Sequence, residues 1–153
     1  MKNVNVYCSK GIRIDKKKTI NLVIMLAKEF GCKVSSIEAN FIDSGSILEI
    51  NRKYLGHNYC TDIITFDYSY EKNNLDGELF ISLPEAAENS KKYRVSIDDE
   101  LSRLIIHGIL HLIGYDDKTP AEKKIMKIQE DKFIKKYQKN MEGLLIKNDC
   151  QNS

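Results

Sequence analysis

His107 and His111 stand four residues apart in the most apolar stretch of the chain, LSRLIIHGILHLIGYDD, from Leu101 to Asp117. On an α-helix that spacing is about 6 Å of rise and roughly 40° of rotation, so both imidazoles leave one face and can meet a single metal ion. Gly114 follows the last apolar residue, where helices commonly end in a left-handed glycine. The chain can then fold back, returning Asp116 or Asp117 towards the histidines. Two nitrogens, one oxygen and a fourth position for water make a catalytic zinc site. Packing is the competing reading of such a pair, and three features weigh against it. Polar rings in an apolar segment need partners. Gly108 in mid-helix costs about 1 kcal/mol against alanine, which implies a close approach to the backbone. A carboxylate pair waits just beyond the helix stop.

Such a site lowers the pKa of bound water from about 15.7 towards about 7, giving a hydroxide able to attack phosphorus or a carbonyl. Peptidase helices carry His-Glu-x-x-His, with the glutamate as general base beside the first ligand. Here that place is Gly108, which disfavours an ordinary peptidase.

The block HGILHLIGYDD resembles the signature of the YbeY family, metal-dependent bacterial endoribonucleases of ribosomal RNA maturation. That pattern reads His-Gly-x-Leu-His-Leu-x-Gly-x-Asp-His, and this chain matches it except at the last position, which is Asp117. INRKYLGHNYCTDIITF (Ile50 to Phe66) and LDGELFISLPEA (Leu75 to Ala86) resemble two further family segments. The likeness therefore extends over nearly the whole chain. It implies a single-strand-specific endoribonuclease of rRNA maturation, in 16S rRNA 3′ end processing and ribosome assembly or quality control. Implied partners are single-stranded rRNA, the small ribosomal subunit and its assembly proteins. The implied ligand set is His107, His111 and Asp117 around one Zn2+ or another divalent transition metal, with no small-molecule cofactor.

Two departures from the family pattern matter. Carboxylate is an accepted zinc ligand, so Asp117 preserves coordination but makes the ion a weaker Lewis acid. Two His and one carboxylate are also the donor set of non-haem iron sites. The family's arginine after Tyr, thought to act on the RNA phosphate, falls at Leu55, which cannot neutralise a phosphate. His57, two residues on, points the same way in an extended segment and is expected to take part of that role as cation or proton shuttle. A surface-loop histidine is the competing reading. Asp116, matching the family's Asp, is expected to hold a ligand or the turn, and Asp62 to tie a turn. Two alternatives follow: a non-catalytic, metal- and RNA-binding ribosome-assembly factor, and a hydrolase of another ester or amide bond.

The elements that must position these residues form one domain over residues 1–146, followed by a polar, frayed tail over 147–153. Apolar residues at 42% and charged residues at 30% describe an ordinary globular chain, and no apolar run approaches membrane-spanning length. Four cysteines (Cys8, Cys32, Cys60, Cys150) show no framework spacing and the N-terminus lacks an apolar leader, which points to cytosolic thiols and a cytoplasmic protein. Cys60 reads as a small buried filler. A net charge of +2 does not announce nucleic-acid binding, but Lys118 to Lys147 holds nine lysines against four acids. That face is either simply solvated or a guide for a phosphate backbone.

Strands are expected at Asn3–Tyr7, Ser35–Ile42, Asp62–Phe66 and Glu78–Ser82. Helices are expected after a basic turn at Lys16–Lys18, from Thr19 to Phe30; from an N-cap at Ser44 to Gly56; from Pro84 through Tyr93; and after Ser96. A last helix carries an apolar stripe of Ile125, Ile128, Phe133, Ile134 and Tyr137. Strands and helices intermix with short connections, which argues α+β. With the resemblance, the expectation is one mixed sheet of about four strands, five to six helices and a zincin-like metal-binding helix.

Overall fold

In the computed structural model, which describes residues 3–149, alternating burial marks the strands and periodic burial the helices. The strands are β1 (Val4–Cys8), β2 (Ile12–Ile14), β3 (Lys33–Ile42), β4 (Ile63–Asp67), β5 (Asn74–Ser82) and β6 (Leu145–Asn148). The helices are α1 (Lys16–Glu29), α2 (Ser44–Leu55), α3 (Leu83–Tyr93), α4 (Ile97–Ile113) and α5 (Pro120–Met141). A mixed sheet runs β1-β3-β5-β4, with β3 parallel to both β1 and β5 and β4 antiparallel to β5. The expected α+β class is observed, with four strands in the main sheet and five helices among the described residues. No described helix is long and apolar enough to cross a membrane.

The core lies between the sheet and the helix pair α1 and α4, where Leu22, Leu26, Ile37, Leu79, Ile105 and Ile109 are fully buried. Helix α4 occupies the centre because its sequence is apolar on nearly every face. Ser96 caps it by accepting from the Asp99 amide, and Asp98, Asp99 and Glu100 stand at its positive end. It stops at Gly114 (φ +128), whose amide donates to the carbonyls of Leu110 and His111. Gly108 is where α4 meets the sheet: a Cβ there would come within 2.6 Å of Leu79 Cδ2 and 3.1 Å of Ile63 Cδ1. The close approach implied by that glycine is the helix lying down on β4 and β5.

Several expectations are corrected. Lys16–Lys18 is not a turn but the first turn of α1, because the Asp15 carboxylate caps the Lys18 amide. Asp43, not Ser44, caps α2, since its carboxylate accepts from the Ser46 amide. Cys60 is exposed, its thiol donating to the Ser44 carbonyl. Ile125 and Ile128 are more than half exposed; Phe133 and Tyr137 are buried as expected, and Met126, Glu130 and Met141 complete the buried stripe of α5. The chain does not fray at Lys147, because β6 pairs antiparallel with β2, Asn148 opposite Ile12. Neither of those strands was expected. Cys150 and the remainder of the expected tail lie outside the described residues.

Candidate metal centre and its cleft

The turn from Gly114 to the α5 cap is short, and it carries Asp117 back over the end of α4. Thr119 closes that turn in a reciprocal cap, accepting from the Glu122 amide while the Glu122 carboxylate accepts from the Thr119 amide. Three donor atoms converge as a result. His107 Nε2 and His111 Nε2 are 3.1 Å apart, and Asp117 Oδ2 lies 3.3 Å from the first and 3.4 Å from the second. An ion bound tetrahedrally at about 2.0–2.1 Å separates its ligand atoms by roughly 3.4 Å, so the triangle has the right size for one metal. Among the described residues, His107, His111 and Asp117 form a group able to hold a metal ion.

The tautomer of His107 supports that fit. Its Nδ1 donates to Glu130 Oε2 at 2.6 Å, which leaves the Nε2 lone pair facing the other two donors. Glu130 is buried on α5 and is itself held by Arg103, whose Nη1 lies 2.8 Å from Glu130 Oε1 while Nη2 binds Asp131. Burial pulls the His107 pKa down, but the hydrogen bond and charge of Glu130, with Asp117 and Asp62 behind them, leave it above the ordinary imidazole value. A more basic imidazole is also a stronger metal donor.

The ligand atoms open into a cleft of about 550 Å³ walled by β4, the end of α2 and the loop that follows it. His57 is in this cleft. Its Nδ1 pairs with the Tyr59 hydroxyl at 3.0 Å and the two rings stack 5.1 Å apart. The loop is fixed from behind by buried Asn51, which donates to the Tyr59 carbonyl and accepts, through its own carbonyl, from the His57 amide. Leu55, half exposed, stands on the same wall. Asp116 also lines the cleft, and the hydrogen bond on the His107 ring comes from Glu130. Asp62 does not tie a turn with its side chain. Its carboxylate accepts from Asn89 on α3 at 3.0 Å, and the same amide reaches Glu100 at 3.3 Å.

Glu130, Arg103 and Asn89 were not expected from sequence. Glu130 had a signal: it is the one charged residue on the buried stripe of α5, where a carboxylate needs a partner. Arg103 and Asn89 carried none, their roles arising from pairings between separate helices.

A family model described as Endoribonuclease YbeY matches residues 7–138. The chain belongs to the YbeY family. A Bacteroides thetaiotaomicron protein named Endoribonuclease YbeY is 43% identical over 131 residues, covering 84% of this chain and 95% of that one. A Chlorobaculum tepidum protein of the same name is 41% identical over 121 residues, 79% of this chain and 88% of its own. A solution structure from Thermotoga maritima superposes with a TM-score of 0.62 over 90% of this chain and 93% of that one. At 22% identity it shares the fold. YbeY membership thus agrees with the resemblance carried by the His107–Asp117 block.

Proposed function

We propose that this YbeY protein is a metal-dependent endoribonuclease cutting single-stranded RNA, with His107, His111 and Asp117 as the ligands of one divalent ion. The observation that carries the reading is the donor triangle of 3.1–3.4 Å, opening on a cleft with His107 Nε2 freed by Glu130. When bound, an ion such as Zn2+ supplies Lewis acidity towards water and a phosphoryl oxygen. The protein's own groups orient the chemistry. Glu130 and Arg103 fix the His107 ring, and Asp117 adds a negative charge that tempers the ion. Asp116, an exposed carboxylate in the cleft, accepts a proton from the attacking water. His57, braced by Tyr59, meets a phosphate oxygen or returns a proton to the leaving oxygen.

Gly108 supports a nuclease over a peptidase. The position beside the first ligand faces Leu79 and Ile63 so closely that a glutamate side chain has no room there. The family name supports RNA as the substrate, and by the same argument the reading extends to 16S rRNA 3′ end maturation, with the small ribosomal subunit and its assembly proteins as cytoplasmic partners. A second reading, a metal- and RNA-binding assembly factor that does not cut, is favoured by one observation: Leu55 stands on the cleft wall where the family resemblance expects arginine.

The two separate in one experiment. Purified protein is incubated with a labelled single-stranded RNA, with and without chelator, beside His111→Ala and His57→Ala. Chelator-sensitive cleavage, lost in His111→Ala and reduced in His57→Ala with metal content retained, supports the nuclease. RNA binding without cleavage under any divalent metal supports the assembly factor.

A further inference from the structure

A second cavity, about 890 Å³, lies on the other side of the candidate metal centre, between α3, α4 and α5. It shares Asp62, Ile63, His107 and Asp117 with the first cleft, so the two form one trough with the ligands at its waist. Their electrostatics differ. The first cleft is lined by four aspartates (Asp62, Asp67, Asp116, Asp117) and by no lysine or arginine. A phosphodiester backbone finds no fixed cation there. The second cavity shares Asp62 and Asp117 and adds Glu100 and Glu130, but it also carries Arg103, Lys123 and Lys127; Glu130 is matched by Arg103 and His107, and Glu100 is buried against Asn89. Its rim carries Lys123 and Lys127 from successive turns of α5, both exposed. Among the described residues Lys127 pairs with Asp131, at 3.9 Å between well-exposed groups, a pairing that competes weakly with a phosphate. Opposite, at the end of α3, the Tyr93 ring is 59% exposed, with the Lys92 ammonium 5.3 Å from its centre.

Resting on the nuclease reading above, we infer that this second cavity is the RNA-holding arm of the trough: Lys123 and Lys127 bind two backbone phosphates on one side of the cut and Tyr93 stacks on a base between them. An exposed aromatic opposite paired cations is the composition that grips single strands without reading sequence. It also answers the loss of arginine at Leu55, since the charge that holds the strand sits on α5 instead of α2. The strand is then anchored on one side of the ligands, and the acidic first cleft receives a departing or unanchored segment.

The test uses the intact protein and a short fluorescein-labelled oligouridylate. Variants are Lys123→Ala with Lys127→Ala, Tyr93→Ala, Tyr93→Phe, and a charge-matched control, Lys135→Ala with Lys139→Ala, on parts of α5 away from the cavity. The double rim variant is expected to raise KM about tenfold with kcat within about twofold. It should also flatten the plot of log affinity against log salt by about 1.4, near 0.7 for each lost phosphate contact. Tyr93→Ala should weaken binding about tenfold and Tyr93→Phe should not, with the control unchanged. If wild type cleaves but the rim variants match the control in KM and salt slope, the RNA-holding arm is wrong while the nuclease stands. If wild type binds without cleaving and the rim variants still lose affinity and slope, the nuclease fails and the arm survives. Binding by none of the proteins sinks both.

Discussion

Glu130 accepts a 2.6 Å hydrogen bond from Nδ1 of His107, although the two residues lie on different helices and 23 positions apart. This contact decides which nitrogen of His107 is free, and it ties the candidate metal centre to the packing of α5 on α4. Replacing Glu130 by alanine leaves a partly buried imidazole N–H without its acceptor and halves the pairing of Arg103. The expected loss of zinc affinity is about 10–100-fold, read by calorimetric titration of metal-free protein. The same change should cost about 2 kcal/mol of stability through the orphaned donor, read by urea denaturation. Glu130→Gln keeps an acceptor and should recover much of both; if alanine binds zinc like wild type, the orienting role is wrong.

Asp117 Oδ2 lies 3.3 and 3.4 Å from the two imidazole nitrogens and would be the third donor to an ion held there. Asp117→Ala leaves only two ligands, so metal content by elemental analysis should fall from about one ion per chain towards none. Asp117→His restores the residue type of the family signature and a neutral donor. It should retain metal and, by making the ion more acidic, raise cleavage severalfold. Metal content untouched by the alanine change would move the third ligand elsewhere.

What could be read in the sequence follows from how local each signal is. Helix α4 was legible because its apolar length, Ser96 before it and Gly114 after it are contiguous. The His pair was legible because helical spacing fixes relative direction. The β2–β6 pairing was not, since it joins strands of three and four residues from opposite ends of the chain, too short for a period to stand out. On α5 Phe133 and Tyr137 marked the true face while Ile125 and Ile128 lay off it, and the buried carboxylate within the real stripe was the cue to the orienting residue. The cleft behaves likewise: His57 was found by adjacency, whereas Asn89 and Arg103 act across elements whose placement only the fold supplies.

Gly108 sits where α4 touches the sheet, with Leu79 fully buried and Ile63 beside it. Alanine gains about 1 kcal/mol of helix propensity, but its methyl needs space already taken, and overpacking costs about 1–3 kcal/mol. Gly108→Ala is therefore expected to lose about 1 kcal/mol net, and Gly108→Val clearly more, by chemical denaturation. Since α4 must shift to accommodate the methyl, metal affinity should fall with it. A Gly108→Ala protein more stable than wild type would show that Leu79 yields freely.

Glu100 gives a pH signature independent of metal. Burial raises its pKa, Asn89 and Arg103 oppose that, and the charges of Asp62 and Glu130 add to it. An acid whose pKa is raised on folding is bound to its proton more tightly in the native state. Its cost to stability is thus present above the folded pKa and disappears as pH falls through that value towards the ordinary glutamate range. Glu100→Gln keeps the oxygen that accepts from Asn89 and removes the charge. It should melt higher than wild type at neutral pH, with the gap closing on acidification. A gap that is constant with pH would place the effect in packing instead of charge.

Leu55 provides the last test, because it asks whether the cleft wall can be returned to the family pattern. The side chain is 44% exposed at the end of α2, so replacing it removes little buried surface. Arginine there would reach over an acidic cleft lined by Asp62, Asp67 and Asp116, where a cation is favoured and which, on the nuclease reading, the scissile phosphate enters. A cation aimed at developing phosphoryl charge is worth about 3 kcal/mol when well placed. Leu55→Arg should accordingly raise kcat/KM for single-stranded RNA by about tenfold or more, with melting temperature unchanged. The gain should be partly lost in Leu55→Arg combined with His57→Ala if the two share the phosphate. Activity unmoved by the arginine would mean that the neighbouring acids hold it away from substrate, and that the strand's charge is met from α5.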